Sequence, residues 1–310
     1  MNQFRLDKAI SRIFVLCVTI IFLCIFAYGI LAISSQPIPE HPFFNDTKNE
    51  NSVKIIANRG GVGAWPENTL YAFQQSEEIG VDAITIDLRI SLDDTLVAIH
   101  DSNVQRTTNG FGDVRKLTTR ELQSLDAGYQ WSNDDGSTFK YRDQGIIIPT
   151  INEVFAEILN MQIYVDIKGE ELLAAQLLCS STRDYNLTEK VLVSADNDLV
   201  LAQFREICPE IATCASAKET RVFASLNAAF LTPIYSPRFH LVKLPPIWYG
   251  LQIITPNLVR SAHLRGLRIY AVNINEYAQM EFVMQQGIDG IVTNYPHLLI
   301  AAIDTNNIFD

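Results

Sequence analysis

The chain has 310 residues, 48% of them apolar, enough to bury the core of one barrel-sized domain of about 250 residues. Lys+Arg 24 stand against Asp+Glu 35, a formal net charge of -11. A field of that sign opposes generic binding to nucleic acid and to anionic lipid surfaces, so nucleic acid is not an expected partner, while a local cationic pocket for one phosphate stays open.

Residues 13–33 carry no charge and read IFVLCVTIIFLCIFAYGILAI. As a helix this run spans roughly 30 Å, the thickness of a bilayer core. It exceeds the apolar core of a typical signal peptide, about 7–15 residues. Arg5, Lys8 and Arg12 precede it, opposed only by Asp7, and no Lys or Arg follows until Lys48. The charge asymmetry predicts a single-pass membrane protein with residues 1–12 in the cytoplasm, residues 13–33 as the transmembrane anchor and the rest extracytoplasmic. Ala32-Ile33-Ser34 is a small-x-small site that also allows cleavage. Residues 34–52 read as a tether, stiffened by Pro37, Pro39 and Pro42 and made polar by Asn45, Asp46, Asn49 and Asn51. Asn45-Asp46-Thr47 and Asn186-Leu187-Thr188 match the glycosylation sequon, which matters only in a host that glycosylates exported proteins.

From Val53 onward, to residue 310, short apolar runs alternate with amphipathic helical stretches. Strands are expected at 53–57, 83–89, 96–100, 163–167, 191–194, 240–244, 267–272 and 290–293, with a weaker ninth at 211–214. Asn68 is expected to cap a helix over 69–79 that Gly80 ends. Thr118 with Glu121 and Thr150 with Glu153 form capping boxes, and Thr255 caps a helix with Pro256 in its first turn and Gly266 at its end. This alternation predicts an α/β fold with a parallel sheet, closed as a barrel rather than open, because no glycine-rich dinucleotide fingerprint follows the first strand. Residues 103–145 are poor in strand signals and read as a small insertion over one end of the barrel. Of the five cysteines, Cys17 and Cys24 lie in the apolar run. Cys208 and Cys214 can form a bridge in an exported domain, although small buried hydrophobes are the simpler reading for Cys179, Cys208 and Cys214.

Side chains two apart share a face of a strand. Thr85, Asp87 and Arg89 therefore oppose Ile84, Ile86 and Leu88, while Asp166 and Lys168 oppose Ile163, Val165 and Ile167. Carboxylates at strand ends are costly unless paired or bound to metal, and in a barrel those ends form the mouth. The first strand ends in Asn58-Arg59 and the third in His100-Asp101. One rim thus receives Asn58, Arg59, Asp87, His100, Asp166 and Lys168. Two carboxylates can hold Ca²⁺ or Mg²⁺, Arg and Lys a phosphate, and a histidine can move a proton, a set suited to phosphodiester cleavage. Structural salt bridges closing the rim are the competing reading.

The same residues carry a resemblance. Asn58-Arg59-Gly60, Pro66-Glu67-Asn68-Thr69, Thr85-Ile86-Asp87, His100-Asp101 with Arg106-Thr107-Thr108, Asp166-Ile167-Lys168 and Gly287-Ile288-Asp289-Gly290 follow the order of motifs in the glycerophosphodiester phosphodiesterase family. The resemblance covers about residues 53–300. It implies a TIM-type β/α barrel and hydrolysis of glycerophosphodiesters to glycerol 3-phosphate and an alcohol. The implied mechanism uses a divalent metal and two histidines, with the substrate's 2-hydroxyl attacking phosphorus. By position it implies Asp87 and Asp166 as metal ligands, Arg59 and Lys168 on phosphate, and His100 as an acid–base residue.

Two positions depart from the family pattern. Asn58 stands where the family has its other catalytic histidine, and Thr85 where it has a metal-binding glutamate. An amide exchanges no proton near neutrality, and a neutral hydroxyl binds a hard cation more weakly than a carboxylate. Asn294 and Tyr270 depart from the family's Asp and Trp. The expectation is a membrane-anchored family member, weakened or retuned, with Ca²⁺ or Mg²⁺ weakly bound or lost. Its ligand would be a glycerophosphodiester or a lysophospholipid head group. The alternative is an inactive relative that binds such a ligand or a protein partner. Glu67 is read as a rescue acid or a loop contact, His263 as packing or surface, and Trp65, Trp248 and Tyr249 as pocket or core aromatics.

Overall fold

The computed structural model describes residues 2–45, 53–158, 160–248 and 250–307. Tyr249 and the Asp46-Thr47 half of the first sequon lie outside them. The strands are β1 (Lys54–Ala57), β2 (Ala83–Ile90), β3 (Leu96–Ala98), β4 (Gln162–Ile167), β5 (Val191–Ala195), β6 (Ala212–Thr213), β7 (Leu241–Leu244), β8 (Ile247–Trp248), β9 (Leu251–Gln252), β10 (Arg268–Val272) and β11 (Gly290–Thr293). The helices are α1 (Asn2–Ser34), α2 (Leu70–Glu78), α3 (Thr119–Gln123), α4 (Ile151–Glu157), α5 (Leu172–Asp184), α6 (Asp198–Ile207), α7 (Ala217–Ala228), α8 (Pro256–His263), α9 (Tyr277–Met284) and α10 (Pro296–Asn307).

Eight of these strands pair in parallel in the order β6-β5-β4-β2-β1-β11-β10-β7. The ends of the path meet through a parallel bridge between Cys214 and Leu241 and through His240 N–H donating to the Thr213 carbonyl at 2.9 Å. The fold is a nearly closed β/α barrel. Two strand expectations change rank. The apolar run at 96–100 gives β3, which folds back antiparallel on β2 outside the barrel. The weaker stretch at 211–214 supplies the barrel strand β6. A short apolar run has no signature of its pairing direction, and β3 lies close enough to β2 in sequence to fold back on it as a hairpin.

The period-2 reading describes the barrel wall. Ile84, Ile86, Leu88, Ile163, Val165, Val191 and Val193 face outward into a buried cluster with α2, α4, α5 and α6. A second outer cluster joins β7, β10 and β11 to α8, α9 and α10. The inward faces of the strands fill the barrel's lower half with Ile56, Ala83, Tyr164, Leu192, Leu241 and Tyr270, below the polar residues of the mouth. Tyr164 and Tyr270 join their hydroxyls across that interior at 2.8 Å. The insertion has a small core of its own, including Val104, Val114, Leu122 and Tyr141, packed against Trp65, Tyr71 and Trp131.

Both expected capping boxes form, at Thr118/Glu121 and Thr150/Glu153. Thr255 caps α8 with Pro256 in its first turn. The cap of α2 is Thr69, not Asn68: the Thr69 hydroxyl accepts from Ala72 N–H, and the Asn68 amide is spent elsewhere. The cysteines follow neither reading, three unpaired buried side chains or a Cys208–Cys214 bridge. Cys179 of α5 bonds Cys208, just after α6, with Cα atoms 5.9 Å apart, while Cys214 is buried and free. The bridge closes a loop of 29 residues between two helices. Replacing both cysteines by alanine is expected to cost about 3–4 kcal/mol in urea unfolding under oxidising conditions, and nothing once the native chain is fully reduced.

Within α1 the stretch Arg12–Ser34 is long and apolar enough to cross a membrane, and none of it is buried against the barrel.

Candidate active site

The mouth is built from strand ends. After Ala57 the chain turns through Asn58–Gly60, with Arg59 at φ 52 and Gly60 at φ 77. A side chain at Gly60 would fall 2.8 Å from the Phe73 ring and 2.9 Å from Ala72 Cβ, so only glycine lets this turn pack on α2. The turn aims the Arg59 guanidinium over the neighbouring strand β2. Its Nε meets Asp87 Oδ2 at 2.8 Å, and one terminal nitrogen meets Glu67 Oε1 at 3.1 Å. Asn68, held at φ 56, locks Asp87 from below: its amide donates to Asp87 Oδ2 at 3.1 Å while its oxygen accepts from Asp87 N–H at 3.0 Å.

Asp87 lies directly opposite Asp166 in the β2–β4 register. Lys168 Nζ stands between the two carboxylates, 2.7 Å from Asp166 Oδ2 and 3.6 Å from Asp87 Oδ1, with Asp196 Oδ1 at 3.2 Å. The other Asp166 oxygen accepts from the Ser194 hydroxyl at 3.0 Å, and Ser194 in turn accepts from Lys243 Nζ at 3.0 Å. Burial alone would push the Asp166 carboxyl up; Lys243 and Lys168 outweigh it and hold the group below the usual range. The same carboxylates offset burial at Lys168 and keep its ammonium protonated more firmly than usual.

His100 sits at the edge of this cluster, its Nδ1 2.7 Å from Asp101 Oδ1. Arg106 clamps Asp101 at 2.6 Å and Glu67 at 2.7 and 2.8 Å. The Arg106 hydrogen bond holds Asp101 down at a pKa of about 2. At Glu67 burial works against ionisation, but Arg106 and Arg59 prevail. Asp101 thus stays ionised and accepts a hydrogen bond from His100 Nδ1–H, which leaves Nε2 as the ring nitrogen for a substrate. All eight residues expected at the site belong to one network. Asn58 and Thr85 join it through the Arg59 backbone, and His100 through Asp101, Arg106 and Glu67.

Three of the departures from the family pattern, at Asn58, Thr85 and Asn294, are also connected. Arg59 N–H donates to Thr85 Oγ1 at 2.8 Å, Thr85 donates to Asn58 Oδ1 at 3.1 Å, and Asn58 Nδ2 donates to Asn294 Oδ1 at 2.8 Å. Three neutral side chains form one hydrogen-bonded string in the mouth, beside the charged cluster. Beside Asn294 a cleft of about 680 Å³ opens, lined by Trp65, Trp131, Lys140, Tyr295 and His297 among others.

The donor set does not fit the divalent cation that the resemblance implies. Among the described residues no three His, Cys, Asp or Glu side chains converge as a metal group. Asp87 Oδ2 is taken by Arg59 and Asn68, and both Asp166 oxygens have partners. The ammonium of Lys168 fills the space between the carboxylates, and the Thr85 hydroxyl is committed on both sides.

Sequence reasoning passed over Lys243, Ser194 and Asp196. Lys243 was detectable, since a cation in the apolar strand Leu241–Leu244 is the same anomaly that marked Asp166. Ser194 is small enough to pass as core, and Asp196 lies beyond the end of its strand. His263 lies far from the mouth and bonds Asp289 at 3.0 Å.

The model of the Glycerophosphoryl diester phosphodiesterase family matches residues 59–298. A glycerophosphodiester phosphodiesterase of Caldanaerobacter subterraneus is 30% identical over 252 residues, covering 79% of this chain and 96% of the relative. One from Bacillus subtilis is 25% identical over 288 residues, covering 90% and 96%. Among solved structures, a glycerophosphoryl diester phosphodiesterase domain from Mycobacterium tuberculosis superimposes with a TM-score of 0.72 at 18% identity, over 82% of this chain and 100% of that one. An Oleispira antarctica phosphodiesterase in complex with the product sn-glycerol-3-phosphate gives a TM-score of 0.65 at 25% identity, over 81% and 96%.

Proposed function

Because the chain belongs to the glycerophosphoryl diester phosphodiesterase family, we propose that its barrel mouth binds a glycerophosphodiester through Arg59 and Lys168 and cleaves it slowly, with His100 as the working acid–base residue. The observation that carries this reading is the single network of Arg59, Lys168 and His100, retained beside a string of side chains that has become neutral. The product found in the Oleispira relative supports a glycerol phosphate as the ligand. Lys243, beside Lys168 in the cluster, adds a further positive charge toward the phosphate. The cleft beside Asn294 gives the leaving alcohol an aromatic-lined seat.

The residues act as follows. Arg59 and Lys168 trade part of their carboxylate contacts for the phosphate oxygens, so binding is an exchange of anions rather than a new burial of charge. His100 Nε2 takes the proton of the attacking 2-hydroxyl as the phosphorus–oxygen bond to the alcohol breaks, water then opens the cyclic phosphate to glycerol 3-phosphate, and Asp101 holds the imidazole's tautomer and stabilises the imidazolium that forms. Asn58 can orient the substrate but holds no titratable proton, so the second proton transfer falls to water. An acid–base group is typically worth about 10²–10⁴-fold, which sets the scale of the weakening. The second reading, a binder without turnover, is favoured by the neutral string of Thr85, Asn58 and Asn294 and differs only in the rate. Release of glycerol 3-phosphate from glycerophosphocholine, with His100→Ala as the comparison, separates the two.

We place the barrel outside the cytoplasm on an uncleaved α1. The exposed apolar face of α1, the basic residues ahead of it and the Cys179–Cys208 bridge, which suits an oxidising compartment, support this.

A further inference from the structure

Residues 36–44 do not hang free between α1 and the barrel. Gln36 N–H donates to the Ser236 hydroxyl at 3.1 Å, two residues past the end of α1. Ile38 N–H donates to the Arg265 carbonyl at 3.0 Å, and a side chain at Gly266 would collide with the Ile38 carbonyl. Glu40 pairs with Arg268, His41 contacts the Glu210 carbonyl at 2.9 Å, and the His41 and His240 rings meet edge to face. Phe43 is fully buried, its ring 5.2 Å from that of Tyr164, and its carbonyl accepts from the Gln162 amide.

Apart from Tyr164, inside β4, the partners precede or open a strand: Glu210 before β6, Ser236 and His240 before β7, Arg265 before β10, with Arg268 opening β10 and Gln162 opening β4. The segment crosses the closed end of the barrel, opposite the mouth, and Phe43 stoppers it. α1 meets the domain at the Thr232–Ile234 turn of the same end. Phe230, two residues before that turn, and Leu264 are 77% and 69% exposed.

We propose that residues 36–44 are an orienting clamp that holds the closed end of the barrel against the bilayer and turns the mouth away from it. This rests on the reading of α1 as a membrane anchor. Two residues reach about 7 Å at most, so the closed end stands next to the head groups. Asp87 lies four residues up β2 from Ala83, about 13 Å further along the barrel. A lipid of the anchoring membrane would have to leave its leaflet and round the barrel to reach Arg59 and Lys168, exposing its acyl chain to water on the way. The site therefore takes diesters that arrive from the aqueous side. A lysophospholipid of the anchoring bilayer is excluded by geometry, not by the chemistry of the mouth. The exposed rim residues Leu199, Ile247 and Leu251 face away from that bilayer as well.

The test uses the full chain in phosphatidylcholine vesicles carrying a head-group nitroxide quencher. A fluorophore at Glu189→Cys, before β5 on the closed end, is expected to lose at least half its emission. One at Gln105→Cys, by the mouth, is expected to lose less than a tenth. Glycerophosphocholine in solution should be cleaved at least 10-fold faster than lysophosphatidylcholine placed in the same vesicles as the protein. Equal quenching at the two positions, or measurable and equal cleavage of the two diesters, overturns the proposal. Alkaline carbonate extraction tests the anchor separately: release of the chain would remove the premise, whereas a retained chain with reversed quenching would overturn the orientation alone. If neither diester is cleaved but the quenching differs as expected, the orientation stands and hydrolysis is what fails.

Discussion

Restoring the family residues at two positions, Asn58→His with Thr85→Glu, is expected to raise turnover of glycerophosphocholine by about 100-fold or more, the scale of one recovered acid–base group. The two changes are expected to work together. Glu at position 85 alone places a carboxylate against Asn58 Oδ1, an acceptor that now receives the Thr85 hydroxyl at 3.1 Å. His at position 58 alone gives up the bond to Asn294 and gains no charged partner. Each single variant should therefore gain less than about a tenth of the double variant's increase, the non-additivity expected of groups in contact. The double variant also sets a new carboxylate beside Asp87. Its activity should become sensitive to chelator, and the native chain's should not. Steady-state rates with Ca²⁺, Mg²⁺ and chelator check both parts.

Lys168→Met is expected to be the most destabilising single change at the mouth. Its ammonium neutralises two facing carboxylates, and the side chains of Lys168 and Asp87 are only 10% and 7% exposed. Removing one partner of a buried charge cluster typically costs about 3–5 kcal/mol, because the remaining charges keep their burial and lose their compensation. The variant is also expected to gain a cation site. With the ammonium gone, Asp87 and Asp166 face an open position and should bind Ca²⁺, so millimolar Ca²⁺ should raise the variant's melting temperature and leave the native value unchanged. Lys168→Met losing stability without any Ca²⁺ rescue would show that the carboxylates are not aimed at a common point.

The barrel and most of its mouth were legible because they rest on period and position. Alternation alone put Asp87 and Asp166 on the inner face with Thr85 and Lys168, and ordered motifs supplied the family. What was not legible depends on contacts between distant segments. The run that became β3 has the composition of a barrel strand, and only its proximity to β2 makes it a hairpin. β6 has two paired residues, too few for a periodic signal. Cys179 and Cys208 are 29 apart, and spacing gives no reason to join them rather than Cys208 and Cys214. Residues 36–44 have the prolines and polarity of a tether, and their order comes from Phe43 entering a barrel end whose shape the local sequence does not encode. The string Thr85–Asn58–Asn294 joins three neighbouring strands, so these departures could be noted one by one in the sequence but seen as a unit only in the fold.

The measurement that bears most directly on the site is glycerol 3-phosphate release from glycerophosphocholine by the native chain in chelator, beside His100→Ala. Slow, saturable turnover that falls at least about 100-fold in His100→Ala, with the melting temperature unchanged, is the predicted result. Turnover that is equal in the two chains would contradict the assignment of His100, and turnover absent from the native chain would leave the mouth as a binding site without catalysis.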